Sequence, residues 1–440
     1  MMNNERKKEI GIVGIIIIVC ASNVFGQFSG YPYAIDDYPF IHYDKNEVEF
    51  YQDSSAFEQL FAKFDSVYLY GTGQVNIVHL GGSHLQADIY SHRLRQRLQT
   101  FMPGSNGGRG LVFPYRIAKT NNPWNYRVTF EGDWDYSKNT KKLLDGPLGL
   151  MGIKVRTHDT LSRVHLSPNT GSLVNYDFNK VRIYHAFGNK YFDPEINAGI
   201  EITDTIKNQL LGFTEYHLSG YSDTLQLCIQ KTDSLQSAFE LYGIQLMTDD
   251  PGIVYHAVGV NGASLPSFNH CEKFVDHMKA VDPDLVIISI GTNDGNTRYF
   301  KPNEYHVNYD TLLHLIREAA PDAALLLTVP NDSYMFRRYI NKNTAKIEEE
   351  IIKLAKEYGG GVWDFYKIMG GLNSIYVWNK EGLARHDKIH FTRKGYELKG
   401  DLLFNALLKA YDNHLNFLIS EKEKKYSRKE LLQAESNEKK

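Results

Sequence analysis

The chain has little cysteine, little net charge and few long apolar runs. Three cysteines in 440 residues argue against a disulfide-stapled scaffold and against a Cys-rich structural zinc site. A formal net charge of −3 gives none of the basic excess expected of a nucleic-acid partner. No internal apolar run reaches the ~18 residues of a membrane-spanning helix, and there are no internal repeats or low-complexity linkers. Core material is plentiful. Hydrophobic residues make up 42% and aromatic residues 13%, which excludes global disorder. At roughly 150 residues per domain, two or three domains are expected.

The N-terminus carries an address. Arg6, Lys7 and Lys8 precede an apolar stretch from Ile10 to Ala21, and Val24-Phe25-Gly26 supplies small or tolerated residues before Gln27. Residues 1–26 therefore read as a secretory signal peptide, too short in its apolar part for a membrane helix, with an exported product, periplasmic or extracellular. Cys20 follows Val19, where a lipidation site wants Gly or Ala, so soluble export is preferred to a lipoprotein anchor. Cys228 and Cys271 remain. Their spacing does not prove a pair, and two buried thiols are the simpler reading.

Five short apolar runs read as buried parallel strands: 75–80, 253–258, 285–290, 324–329 and 361–364. Helical patterns at 85–98, 267–280, 309–319 and 345–358 separate them, and 395–411 closes the series. That alternation predicts a doubly wound α/β fold with a mostly parallel five-stranded sheet. About 150 residues between the first helix and the second strand break the rhythm, too many for a loop. Alternating stretches at 126–131, 153–157, 180–186, 224–230 and 238–247 predict an inserted all-β, jelly-roll-like domain. The expected organisation is 27–114 and 251–420 for the α/β domain, 115–250 for the insertion, and 421–440 for a charged, disordered tail.

Three motifs fall where strands end. Gly81-Gly82-Ser83-His84 follows the first strand and opens a helix, where free N–H groups favour an oxyanion. No Gly-x-Ser-x-Gly elbow lies near it, so the common α/β-hydrolase template does not apply. Gly291-Thr292-Asn293-Asp294 follows the third strand; the Asn293 amide is a neutral donor for a developing negative oxygen, and Asp294 reads as loop support. Asp387-Lys388-Ile389-His390 precedes the last helix, and its spacing lets a carboxylate fix one tautomer of the imidazole. Taken singly, each motif is also explained by a turn, a helix cap or a solvated surface pair.

Together, in the order Ser, Asn, Asp-x-x-His, the blocks resemble the SGNH, or GDSL-type, esterase family. The resemblance covers the α/β parts and implies an SGNH, flavodoxin-like sheet. It assigns Ser83 as nucleophile, His390 as base and Asp387 as its orienting carboxylate. The Ser83 and Gly262 N–H groups and the Asn293 amide would form the oxyanion hole. Gly262, in Gly259-Val260-Asn261-Gly262-Ala263, is preferred to Gly259 for the family's second-block glycine. The wider arrangement is similar to secreted bacterial peptidoglycan O-acetylesterases, which have a β domain inserted between the same blocks. The chain departs from the family pattern at Gly82, where an Asp usually precedes the serine.

The expected reaction is acetyl-ester hydrolysis on a cell-envelope or extracellular glycan, without a metal or organic cofactor. Peptidoglycan is the first choice and acetylated xylan the runner-up. A catalytically inactive glycan-binding homologue is the alternative that Gly82 raises. Metal readings, a metallophosphoesterase around Ser83-His84 and Asp88 or a deacetylase around His386 and His390, lack accompanying ligand clusters. Trp124, Trp134 and Tyr136 are candidates to stack on sugars, although core packing is the commoner use of such residues. Arg109 is a candidate to meet a substrate carboxylate. Oligomeric state is not legible.

Overall fold

A computed structural model describes residues 36–51, 54–169 and 173–438, with side chains through residue 422. The signal segment and Cys20 lie outside the described residues. An edge strand, β1 (Glu49–Phe50), precedes α1 (Ser55–Tyr68), whose Phe57, Leu60, Phe61, Phe64 and Val67 share one buried stripe. β2 (Gln74–Gly81), α2 (Ser83–Gln86) and α3 (Tyr90–Thr100) follow. Eleven strands come next: β3 (Gly110–Val112), β4 (Arg127–Glu131), β5 (Asp135–Lys138), β6 (Ile153–Thr157), β7 (Leu161–Ser167), β8 (Phe178–His185), β9 (Pro194–Asn197), β10 (Ile202–Asn208), β11 (Phe213–Ser222), β12 (Leu225–Gln230) and β13 (Phe239–Met247). Alternation resumes with β14 (Gly252–Gly259), α4 (Leu265–Asn269), α5 (Phe274–Val281), β15 (Leu285–Ser289), α6 (Pro302–Ala319) and β16 (Ala324–Thr328). A small hairpin, β17 (Tyr334–Met335) and β18 (Tyr339–Ile340), precedes α7 (Asn343–Tyr358), β19 (Gly361–Trp363), α8 (Phe365–Ile368), α9 (Ser374–Lys380) and α10 (Arg393–Glu438).

The five expected strands are β2, β14, β15, β16 and β19, and they share one sheet in the order β1-β19-β16-β15-β2-β14. Their mutual pairings are parallel, and β1 joins antiparallel at the β19 edge. The sheet is therefore six-stranded and mixed, not five-stranded; β1 is two residues long and leaves no periodicity to read. Every residue of β14, β15, β16 and β19 is buried, which explains why their runs are mostly apolar. In chain order the parallel strands lie 2-1-3-4-5, so the order reverses between β2 and β15. A crevice opens at the carboxyl ends of strands flanking such a reversal.

The strand-rich segment forms a seven-stranded sheet, β10-β11-β8-β13-β6-β5 with β3 on β13, and a four-stranded sheet, β4-β7-β12-β9. Its strands run from Gly110 to Met247, starting five residues before the expected boundary. It shares a core with the α/β sheet: Val78 and Leu80 of β2, Ile244 and Leu246 of β13 and Met278 of α5 belong to one apolar cluster. The chain leaves and re-enters the sheet at adjacent points, since Asn106 bridges Ile253.

The helix expected over 85–98 is two helices. Asp88 adopts a left-handed backbone, φ 46°, between them. Its carboxylate accepts from Arg95 at 3.1 Å, Arg109 at 2.8 Å and Asn125 at 2.8 Å. That buried ion cluster fixes the corner and occupies Arg109, which is 2% exposed and unavailable to a substrate. Residues 421–438, expected to be disordered, continue the backbone of α10. Cys228 and Cys271 are free thiols. Among the described residues no helix is long and apolar enough to cross a membrane.

Candidate active site

Ser83 is the first residue of α2, directly beyond the carboxyl end of β2. The first N–H groups of a helix have no intrahelical acceptor, so the Ser83 N–H points out of the turn free of the helix ladder. Ser83 Oγ lies 3.0 Å from His390 Nε2, and His390 Nδ1 lies 2.8 Å from Asp387 Oδ2. The other Asp387 oxygen, Oδ1, accepts the backbone N–H groups of Ile389 and His390, each at 3.0 Å. Partial burial opposes the Asp387 charge, but the His390 and Ile389 N–H groups and the His390 ring outweigh it and hold the carboxyl below its ordinary value. The loop can make this tight turn because Lys388 sits at φ 52°. The Lys388 ammonium is packed over the Tyr334 ring at 4.4 Å and the Tyr376 ring at 5.5 Å.

Ser83, Asn293 and His390 line one cavity of about 280 Å³, together with Gly82, Ala263 and Asn331. Asp387 stands behind His390. Asn293 Nδ2 donates to the Ala263 carbonyl at 2.8 Å, which fixes the amide plane and leaves its second hydrogen unused by that bond. Gly262 does not line the cavity, although its neighbour Ala263 does; it turns the chain at φ 83°. Gly259 has a different use. A Cβ there would lie 2.3 Å from the Gln86 backbone nitrogen, so its absence lets α2 pack directly on β14. At Gly82 there is room for a side chain, since the nearest atom to an added Cβ, Asn293 Nδ2, is 3.5 Å away. Space does not demand glycine at that position.

Asp294 supports the loop, accepting the Leu265 N–H at 3.1 Å, and burial pushes its carboxyl up to about 6. Two buried basic groups lie close to one another beside the serine block, and only the first belongs to a motif. His84 is held neutral by burial first and then by the nearby Lys399 ammonium. Lys399 is 3% exposed, 4.4 Å over the Phe365 ring and 5.0 Å over the Tyr90 ring. Burial pushes it down to about 7. Phe336 and Arg337, on the β17–β18 hairpin, also line the cavity, and no periodicity or motif pointed to them. The aromatic candidates lie elsewhere: Trp134 is buried, and Trp124 packs beneath the Arg393 guanidinium at 4.3 Å. Among the described residues no group of three or more His, Cys, Asp or Glu side chains is placed to hold a metal ion.

Residues 220–398 match the model of the GDSL-like lipase/acylhydrolase family, a span that holds Gly262, Asn293, Asp387 and His390. The fold is that of a peptidoglycan O-acetylesterase, with TM-score 0.65 and 20% identity over 83% of this chain and 99% of that one. Residues 220–398 are therefore similar to a GDSL-type acylhydrolase domain. The matched span begins within the strand-rich segment and does not include Ser83. Smaller shares align with a lipase/acylhydrolase from Enterococcus faecalis, at 19% identity, 37% of this chain, 77% of that one and TM-score 0.28. An acetyl xylan esterase aligns at 18% identity, 36% of this chain, 82% of that one and TM-score 0.28. No curated protein matches the chain.

Proposed function

We propose that the protein is an exported serine esterase that removes O-acetyl groups from an extracytoplasmic glycan, with peptidoglycan as the first choice. The observation that carries this reading is the hydrogen-bonded chain from Ser83 Oγ through the His390 ring to Asp387. Ser83 attacks the acetyl carbonyl while His390 Nε2 takes its proton. Asp387 holds His390 in the tautomer that leaves Nε2 free to accept, and stabilises the imidazolium. His390 then protonates the departing sugar alkoxide, and water hydrolyses the acetyl-enzyme by the same proton path in reverse. The oxyanion is met by the Ser83 N–H and the Asn293 amide, both on the cavity wall; losing one such donor raises the barrier by about 3 kcal/mol. Export follows from the signal pattern of residues 1–26. The choice of peptidoglycan is supported by the likeness to a peptidoglycan O-acetylesterase along nearly all of that chain.

A serine-directed fluorophosphonate, followed by peptide mass spectrometry, is expected to label Ser83. Acetate release is expected to be faster from O-acetylated peptidoglycan than from acetylated xylan. Absence of labelling, with no hydrolysis of an aryl acetate, ends the esterase reading and favours an inactive glycan-binding module. Faster release from xylan keeps the chemistry and changes the substrate.

A further inference from the structure

Among the described residues, no aspartate or glutamate lines the cavity beside Ser83, and Arg337 is its one permanently charged lining residue. That arginine is held at a cost. Phe336 and Arg337 are consecutive non-glycine residues in the left-handed region, at φ 51° and 64°. Bulky residues there are uncommon, and such strain persists only where the surroundings enforce it. Several bonds do so here. The Phe336 N–H donates to Asn296 Oδ1 at 2.9 Å, and the Arg337 N–H donates to the Tyr334 carbonyl at 3.1 Å. The root of the hairpin is tied to the His390 loop, since the Tyr334 N–H donates to the Lys388 carbonyl at 2.8 Å. Its tyrosine hydroxyl donates to Asn373 Oδ1 at 2.8 Å. A second cation flanks the turn, with the Arg298 guanidinium 6.0 Å from the Phe336 ring and 5.7 Å from the Tyr339 ring. The turn therefore presents a guanidinium at the rim of the cavity, in fixed relation to the His390 loop, with no acidic side chain of the cavity wall to neutralise it.

We infer that Arg337 is a specificity residue that binds a carboxylate carried by the glycan close to the acetyl ester being cleaved. The inference rests on the glycan-esterase reading and sharpens it. A guanidinium offers a planar fork that matches a carboxylate, and such charge-assisted bonds are stronger than neutral ones. In peptidoglycan the relevant anion is the lactyl group, or the stem extending from it, on muramic acid. N-acetylglucosamine has the same ring without it. A uronic acid on a plant glycan would present the same chemistry from another source.

The test measures binding without turnover. The Ser83→Ala variant is titrated by NMR with N-acetylmuramic acid, N-acetylglucosamine and glucuronic acid. N-acetylmuramic acid is expected to bind about tenfold more tightly than N-acetylglucosamine, the difference a single charged hydrogen-bonded contact supplies. Tighter binding of glucuronic acid than of either sugar keeps the carboxylate site and moves its source to a plant polymer. Adding Arg337→Asn, which tolerates the left-handed backbone, is expected to bring the muramic-to-glucosamine ratio to about one. Arg337→Lys is expected to keep part of the preference. Arg338→Asn, at a neighbouring exposed arginine outside the cavity lining, is expected to keep it in full. Failure of both carboxylated sugars to outbind N-acetylglucosamine, including no binding by any of the three, overturns the inference. So does a preference that survives Arg337→Asn. Aryl acetate turnover by the unmodified protein, measured alongside, judges the esterase reading separately.

Discussion

Replacing Asp387 by asparagine tests how the site works, because the change is confined to one oxygen. The amide oxygen of the asparagine can still accept the Ile389 and His390 N–H groups, which Asp387 takes at 3.0 Å each. At the other position an NH2 replaces the oxygen that lies 2.8 Å from His390 Nδ1. Two donors cannot share that bond, so His390 must turn Nδ1 into an acceptor and carry its proton on Nε2. Nε2 then faces Ser83 Oγ, 3.0 Å away, as a donor and can no longer take the serine proton. A wrong-tautomer substitution of this kind costs about 10⁴ in turnover, or about 5 kcal/mol in the barrier. The effect on stability should be small. Two of the three bonds survive, and the Asp387 side chain is 21% exposed, so solvent already weakens the lost ionic part. Asp387→Ala removes all three bonds and should lower the melting temperature more. The assay is 4-nitrophenyl acetate hydrolysis with thermal denaturation of the same samples. Turnover of Asp387→Asn within tenfold of the unmodified protein would refute the tautomer argument, even if Ser83→Ala were inactive.

Other consequences follow from the packing. Lys399 falls from its ordinary value of 10.5 to about 7 on folding. Between those values the unfolded chain holds a proton that the folded chain lacks, so stability should rise with pH across that interval. Lys399→Met should flatten this rise in urea denaturation and stabilise the protein most at pH 7 and below; an unchanged slope would show that the ammonium is better solvated than its burial implies. Asp88→Asn leaves Arg95 and Arg109 buried without their carboxylate and should destabilise by about 3–5 kcal/mol in the same assay, whereas a loss under 1 kcal/mol would contradict the cluster's role. Replacing 115–250 by a Gly/Ser linker should give a chain without cooperative unfolding, because the segment shares the α/β core; a cooperatively melting variant would show that it is separable.

The α/β half was legible because its strands are covered on both faces. Runs such as 285–290 and 324–329 carry one polar residue each, Ser289 and Thr328, near their carboxyl ends, and the ends of such runs placed Ser83 and Asn293 at one edge of the sheet. The antiparallel strands were harder. β10 is exposed along nearly its whole length and reads as a polar loop. The Asp88 corner interrupts a sequence with helical periodicity on both sides, and only its distant partners Arg109 and Asn125 account for it. Ser83, Asn293, Asp387 and His390 were readable because each belongs to a short motif with fixed spacing. Arg337 was not. It owes its position to a turn held by Asn296 and Lys388, and nothing in its immediate sequence announces that. Lys399 was hidden for a related reason: on a helix surface pattern a lysine reads as solvated, and only tertiary packing buries it.

The position of β2 bears on the order of assembly. It is the interior strand that leads into the serine, and it emerges early from synthesis. One of its edges pairs with β14, where Gln74 meets Gly252, and the other with β15, where Ile77 meets Leu285. Both neighbours lie beyond the whole strand-rich segment, so no local partner covers β2 while the intervening chain is incomplete. Closing such long loops before any contact rewards them slows folding. Refolding is therefore expected to be slow, with the capacity to react with a fluorophosphonate appearing only in the last kinetic phase. Recovery of that reactivity before the tyrosine and tryptophan fluorescence settles would show that the serine's surroundings form independently of the strands on either side.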